Sequence, residues 1–154
     1  TDGALIPSTN SGATVTLTNG ALSSTDATNV WVGIDYTMKY TFSKQLFKQA
    51  SGQSKTPSAG GSMMLKNCSV FYNKTAHFDV KVTPSQRDTY TNTFNPNIIN
   101  TTNIALQLDD GFFRVPVFSN SEDTTITIEN SSALPSNFQS AEFEVNAHQR
   151  SRRF

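Results

Sequence analysis

The sequence has little of what catalytic, metal-binding and disulfide-bonded proteins rely on. Its 154 residues include one cysteine and two histidines, which excludes an intramolecular disulfide and a zinc site built from clustered thiols or imidazoles. Cys68 lies within an alternating apolar run, so we interpret it as a buried structural thiol. No stretch approaches the roughly 20 apolar residues of a membrane-spanning helix, and none is predicted.

Charge is also scarce. Charged residues make up 16% of the chain, against about 25% in an average soluble domain. Twelve Lys and Arg residues balance twelve Asp and Glu residues, so no overall field attracts nucleic acid or anionic lipid from a distance. Ser, Thr and Asn supply the remaining polar groups, and they hydrogen-bond across a contact without the cost of burying an ion. This composition favours a subunit that packs against neighbours.

What the sequence does contain is period-two alternation of apolar and polar residues, the pattern of half-buried β-strands. Turn residues separate the alternating runs. Arg87–Phe94 has the weakest pattern. The runs amount to about eight or nine strands: Ala13–Thr18, Asn29–Gly33 with the run that follows to Phe42, Met63–Tyr72, Ala76–Val82, Arg87–Phe94, Ile104–Leu108, Phe112–Phe118, Thr124–Glu129 and Phe138–Val145.

The sequence predicts two β-hairpins. Asn73–Thr75 joins Met63–Tyr72 to Ala76–Val82, and we predict a hairpin whose first strand is central because both of its faces carry apolar groups. The turn sequence Asp109–Gly111 predicts a second hairpin between Ile104–Leu108 and Phe112–Phe118.

Proline, glycine and basic residues mark the remaining features. Pro116 lacks an amide proton, which predicts either an edge strand or an outward-facing position. Residues 50–61 are rich in Gly, Ser and Pro without apolar periodicity, so we predict a flexible loop there. Residues 149–154 form a basic tail.

These patterns predict an all-β fold, an antiparallel β-sandwich or a barrel-like domain with long loops. The length favours one domain over residues 1–154. The chain begins at Thr1 without an initiating methionine, and we expect it to be part of a longer protein.

No constellation of side chains favours catalysis, and we assign no catalytic, cofactor-binding or metal-binding residue. His77 and His148 are the only imidazole bases, and neither stands in a nucleophile motif. Paired acids for glycoside hydrolysis would have to come from turns or from the solvent side of a strand. These acids are Asp109, Asp110, Glu122, Asp123, Glu142 and Glu144.

Two further groups of residues have simple explanations. Arg150, Arg152 and Arg153 could touch phosphates, but arginines at a chain end more often make a solvated tail or a subunit contact. Four glycosylation sequons begin at Asn67, Asn73, Asn100 and Asn130, a number close to chance in a chain so rich in Asn, Ser and Thr.

Several segments, in order and spacing, resemble a known family. They are Tyr40–Lys48, Met63–Tyr72, Phe78–Val82, Gly111–Val117 and Phe138–Val145. Together they look like the C-terminal region of the tail tubular protein B, or nozzle, of T7-like short-tailed phages, over about Asp35 to the end. The last strand departs from the family's usual Trp-Glu-Gly-Tyr pattern, since it reads Phe143-Glu144-Val145-Asn146.

The resemblance implies a structural role in the phage tail, within the virion. It implies a homo-oligomer, a hexameric ring that meets the tail adaptor protein, with a tail fibre protein as a further partner and DNA only as passing cargo. No cofactor and no enzymatic activity are expected. The candidate subunit contacts are Phe112, Phe113, Arg114, Val115, Arg150, Arg152 and Arg153.

Two other function classes remain open from the sequence. One is a tail-associated carbohydrate-binding or cell-wall hydrolytic β-module, which would use exposed aromatics, with Tyr72, Tyr90 and Trp31 as candidates. The other is a cell-surface adhesion domain, which glycosylation of the sequons would favour.

Overall fold

The computed structural model describes residues 8–12, 14–17, 33–34, 36–46, 48–51, 54–57, 61–96 and 107–149. Over these residues the fold is all-β, and none of them forms a helix that could cross a membrane. The strands are β1 (Ser8–Ser11), β2 (Thr14–Leu17), β3 (Met38–Thr41), β4 (Lys48–Ser51), β5 (Ser54–Pro57), β6 (Gly61–Thr75), β7 (Phe78–Pro84), β8 (Tyr90–Phe94), β9 (Asp109–Asn120), β10 (Thr124–Asn130) and β11 (Phe138–Gln149).

Two antiparallel sheets form the body of the domain. One has four strands in the order β3-β10-β7-β8, and the other has three in the order β11-β6-β9. Their buried faces pack against each other, so the predicted sandwich is confirmed and the described strands close no barrel. Two short hairpins, β1-β2 and β4-β5, pair only within themselves.

The predicted hairpin between β6 and β7 is wrong. β6 pairs with β9 and β11, whereas β7 pairs with β8 and β10. The chain therefore crosses from one sheet to the other after Thr75, and backbone bonds from Asn73 and Ala76 to the segment before β11 hold the crossing. The physical reason is that both strands have a core-facing row, and folding one row onto the other buries both. β6 is central in its sheet, as predicted.

The predicted turn at Asp109–Gly111 is also wrong, because these residues begin β9. Asp109 accepts a hydrogen bond of 3.0 Å from the Tyr72 hydroxyl, and the Asp110 carboxylate accepts one from the backbone amide of Lys74. Pairing with β6 therefore prevails over the local turn preference of Asp-Gly. Ile104, the start of the predicted partner strand, lies outside the described residues.

Other strand predictions are confirmed with small changes of length. β8 matches the weak pattern, β10 ends one residue later than predicted, and β11 continues to Gln149. β9 lies at a sheet edge, one of the two alternatives that Pro116 predicts. Of the predicted strand Asn29–Gly33 only Gly33 is described, and it is not in a strand. The run that follows to Phe42 forms a strand at β3, while its described residues 34, 36, 37 and 42 lie outside any strand.

The stretch predicted as a loop over residues 50–61 contains the end of β4 and all of β5, which form an antiparallel pair, so a loop over the whole stretch is wrong. Its flexibility stays a prediction. The basic tail beyond Gln149 lies outside the described residues.

The core lies between the two sheets and is centred on Phe78, which is 0% exposed. The rings of Tyr72, Phe94, Phe113 and Phe138 surround it at centroid distances of 4.9 to 5.7 Å. Burying each large apolar side chain contributes about 1.5–3 kcal/mol. The aliphatic part of the core comes from both sheets: Leu65, Val70, Val80, Val82, Val115, Val117, Ile126 and Ile128.

Candidate subunit-contact surfaces

The outer face of the three-stranded sheet carries an aromatic pair, one ring half-buried and the other exposed. Phe71 on β6 is directly opposite Phe112 on β9, and their ring centroids lie 5.7 Å apart. Directly opposite residues of an antiparallel pair share a face, and this face points away from the core. Phe112 remains 60% exposed, which marks the position as a potential contact with another protein.

Next to this pair, a charged cluster spans all three strands of the sheet. Glu144 on β11 accepts a hydrogen bond of 2.6 Å from the Asn67 side chain on β6 and forms an ion pair with Arg114 on β9. Lys66 lies 3.9 Å from the other carboxylate oxygen. The Asn67 hydrogen bond first, and the two cations after it, hold the pKa of Glu144 below its usual value. Exposed pairs of this kind stabilise a fold only slightly, but this one orients Arg114 over the sheet.

The structure separates the predicted contacts on β9 into two sets. Phe112 and Arg114 point outward, and the Arg114 side chain is 55% exposed. Val115 is fully buried and Phe113 is half-buried, with its ring against Phe78 and Phe94. The side chains of Phe113 and Val115 therefore belong to the core of this subunit. Arg150, Arg152 and Arg153 lie outside the described residues.

On the β9 side of the sandwich, the gap between the two sheets is closed. The Tyr90 hydroxyl on β8 donates toward the carbonyl oxygens of Pro116 and Val117, each at 2.9 Å. Arg87 donates to the carbonyl of Phe118, also at 2.9 Å. Side chains thus occupy three successive backbone acceptors of an edge strand that already contains a proline, and such an edge is protected against pairing with another strand.

On the opposite side, between β3 and β11, the two sheets meet through apolar side chains. We define the apolar seam as Tyr40, Phe42, Phe143 and Val145. Phe42 meets both Tyr40 and Phe143 edge-on, at centroid distances of 5.1 and 5.4 Å. Tyr40 is 57% and Val145 38% exposed. The β11 edge beside the seam runs for 12 residues without proline, lysine or arginine. Two register shifts against β6 and the exposed Glu142 and Glu144 protect this edge instead.

Comparison with known families decides the identity of the chain. A family model described as bacteriophage nozzle protein matches residues 4–154. The chain belongs to the bacteriophage nozzle protein family. No curated protein matches it. As a nozzle protein it is a structural component of the phage tail, within the virion, which confirms the resemblance, the structural role and the location that the sequence predicts.

The ionisable residues considered for chemistry are dispersed in this nozzle protein. His77 lies in the connection between β6 and β7, and His148 is exposed on β11, in a strand that was expected to end before it. Within the described ranges no three His, Cys, Asp or Glu residues come together as metal ligands would. Glu142 and Glu144 are on solvent-exposed positions of β11, as predicted. Family membership points to a non-enzymatic role.

Carbohydrate binding would use exposed aromatic residues, and an adhesion domain would use glycosylated asparagines. Most of the described candidates for these roles are buried or hydrogen-bonded within the subunit. Tyr72 is 5% exposed, and the Tyr90 hydroxyl is bound to β9. Asn130 is 5% exposed and Asn67 donates to Glu144, so both amides already have partners. Trp31 and Asn100 lie outside the described residues.

Sequence reasoning missed Tyr90, Asn67 and Glu144 as parts of these surfaces. Each acts through a residue far away in the chain, as when Asn67 of β6 meets Glu144 of β11. Only the strand register that brings the partners together could have identified them.

Burial of two core groups predicts a loss of stability at alkaline pH. Desolvation raises the pKa of the Cys68 thiol from 9.0 to about 12, and burial, with the hydrogen bond to Asp109, raises the pKa of Tyr72 from 10.0 to about 12. Above pH 9 the unfolded chain loses protons that the folded chain keeps, so stability falls as pH rises. Each group costs up to about 1.4 kcal/mol per pH unit in its window.

Urea unfolding between pH 8 and pH 11 measures this effect, with Cys68→Ala and Tyr72→Phe as variants. Each variant should show a shallower fall than the parent protein. A parallel fall in all three proteins would contradict the assignment. Cys68 should also resist thiol reagents until the chain unfolds, since it is 0% exposed.

Proposed function

We propose that copies of this chain pack side by side into a ring-shaped conduit, by resemblance a hexamer, through which DNA leaves the virion. The observation that carries the proposal is the Phe71–Phe112 pair on the outer face of the three-stranded sheet, with Phe112 60% exposed. A pair of large aromatic side chains, one of them mostly exposed, is costly in water and favourable in a protein contact. The tail adaptor protein, and a tail fibre protein, are proposed as further partners.

The opposite outer face, on the four-stranded sheet, supports a conduit in another way. Its outward positions carry threonines and matched charges: Glu129 lies between Lys39 and Lys81, and Asp79 accepts a hydrogen bond from Thr93. The hydrogen bond from Lys81, partly opposed by desolvation, lowers the pKa of Glu129. A hydrated face without excess positive charge does not retain DNA phosphates, which suits passage rather than binding.

A charge placed at Phe112 tests the proposed packing in the full-length protein. Phe112→Asp is expected to weaken ring assembly at least about tenfold, because it removes an aromatic contact and buries a carboxylate. Its folding should be nearly unaffected, since the side chain is 60% exposed. Light scattering of the eluted assembly and electron micrographs measure the outcome.

The matched control is Thr125→Asp, which adds the same charge on the opposite, polar face, where Thr125 is exposed. This variant should assemble as the parent protein does. A full-length parent protein that stays monomeric at high concentration, or a Phe112→Asp variant that forms normal rings, would overturn the proposal.

A further inference from the structure

The outer face of the four-stranded sheet carries charges that cancel. The strands of this sheet contain four charged residues, and the strand register places all of them on the outward face: Lys39, Asp79, Lys81 and Glu129. Threonines occupy the other outward positions of these strands: Thr41, Thr83, Thr91, Thr93, Thr125 and Thr127. Two lysines against two carboxylates leave the face neutral, although it holds cations of the kind that bind phosphate.

Glu129 lies at the centre of this charge balance. Lys39 is directly opposite it on β3, with Nζ 3.3 Å from one carboxylate oxygen. On the other side, Lys81 of β7 forms an ion pair with the second oxygen. Asp79 contributes less directly, since it accepts a hydrogen bond from Thr93 at 2.6 Å. A single carboxylate therefore binds both ammonium groups, and its removal frees both lysines at once.

The two lysines lie at the surface, whereas the carboxylate between them is shielded. The side chains of Lys39 and Lys81 are 61% and 38% exposed, and that of Glu129 is 14% exposed. The hydrogen bond to Glu129, partly opposed by desolvation, raises the pKa of Lys81, so this lysine stays charged at neutral pH. A polyanion that passes over the face meets cations whose charge is already compensated.

Stabilisation of the sheet does not by itself explain this arrangement. The backbone ladders already join β3 and β7 to β10, and ion pairs with exposed partners add little to stability. In a conduit the arrangement has a larger effect. Each free lysine that meets a phosphate releases a counterion, and a ring repeats the same face in every copy, so uncompensated lysines would add up to strong retention of DNA.

We propose that Glu129 keeps Lys39 and Lys81 from binding the phosphates of duplex DNA that passes over this face. The inference rests on the proposed conduit and deepens it, because it names the group that makes the lining non-adhesive. It assigns Glu129 a role in DNA passage that is separate from the folding of the sheet.

Glu129→Gln in the full-length, assembled protein tests this role. Glutamine keeps the size of the side chain and removes its charge. Rings of the variant should bind a short fluorescent DNA duplex at least about tenfold more tightly than parent rings at low salt. The difference should shrink as sodium chloride is added, because the gained contacts release counterions. Fluorescence anisotropy over a salt series measures both effects.

The matched control is Glu122→Gln, which makes the same change of charge at an exposed position of the turn between β9 and β10. It should bind DNA as the parent does. Equal gains at positions 122 and 129 would reduce the effect to net charge and overturn the role of Glu129. Adding Lys39→Gln and Lys81→Gln to Glu129→Gln should return the affinity to the parent value, and a triple variant that still binds tightly would also contradict the role.

Thr125→Lys separates this inference from the proposed function, because it adds an uncompensated lysine at an exposed position of the same face. Rings of this variant should also bind DNA more tightly. A gain for Thr125→Lys without a gain for Glu129→Gln would overturn the role of Glu129 and leave the conduit in place. Rings in which neither variant gains affinity would overturn the contact of this face with DNA. A parent protein that stays monomeric would overturn the ring and this inference with it.

Discussion

Phe78→Ala is expected to lower the free energy of unfolding by about 3–5 kcal/mol. Phe78 is 0% exposed and touches the rings of Tyr72, Phe94, Phe113 and Phe138, so its removal leaves a cavity that both sheets line. The two sheets meet at this ring, which leaves little freedom for the cavity to collapse. Since a domain of this size is stable by about 5–15 kcal/mol, the variant approaches the limit of folding.

Urea unfolding measures this loss as a lower midpoint with an unchanged slope. Phe112→Ala is the matched control, because it deletes the same ring at a site that is 60% exposed. It should cost less than about 1 kcal/mol in the isolated subunit. Equal losses at positions 78 and 112 would contradict the placement of the core.

The second large effect is expected at Asn130, a buried amide that organises the connection between β10 and β11. Its Nδ2 donates to the carbonyl of Leu134 at 2.8 Å and to the hydroxyl of Ser136 at 3.0 Å. Its Oδ1 accepts hydrogen bonds from the amide and the hydroxyl of Ser132, at 2.9 and 2.7 Å. Asn130→Ala leaves these partners without a bond in a site that is 5% exposed, and we expect a loss of about 2–4 kcal/mol.

Asn130→Asp distinguishes the contribution of the Nδ2 donor from that of the Oδ1 acceptor. It keeps the acceptor for Ser132 but places an oxygen opposite the carbonyl of Leu134, so it should be about as destabilising as alanine at neutral pH. Asn146→Ala, at an exposed position of β11, should change the stability by less than about 0.5 kcal/mol. Equal effects at positions 130 and 146 would show that the connection does not depend on the amide.

Alternation of apolar and polar residues correctly predicted the buried face of strands that have one face in the core. In β7, Phe78, Val80 and Val82 are buried while the positions between them are not. In β10, Ile126 and Ile128 are buried as well, although Thr127 between them is also buried. The same period holds in β9, where Phe112 and Arg114 point outward and Val115 is buried, but it was not applied when the candidate contacts were chosen. Local pattern therefore carries information about faces, because successive side chains of a strand point to opposite sides.

Pairing between strands was not predictable in the same way. The short connections after Tyr72 and at Asp109 have the composition of hairpin turns, yet one crosses between the sheets and the other is part of a strand. A turn preference is worth less than the burial of two core-facing rows, so long-range packing decided both cases.

By itself, the sequence determined that this nozzle protein is all-β with few charged residues, and which strands have a buried face. The tertiary structure alone decided which strands are neighbours, that β9 lies at an edge, and so where Tyr90 closes one side of the sandwich and where Phe42 and Phe143 meet on the other side. The reason is physical: the face of a strand follows from the alternation of its own residues, whereas the partner of an edge depends on contacts between residues far apart in the chain.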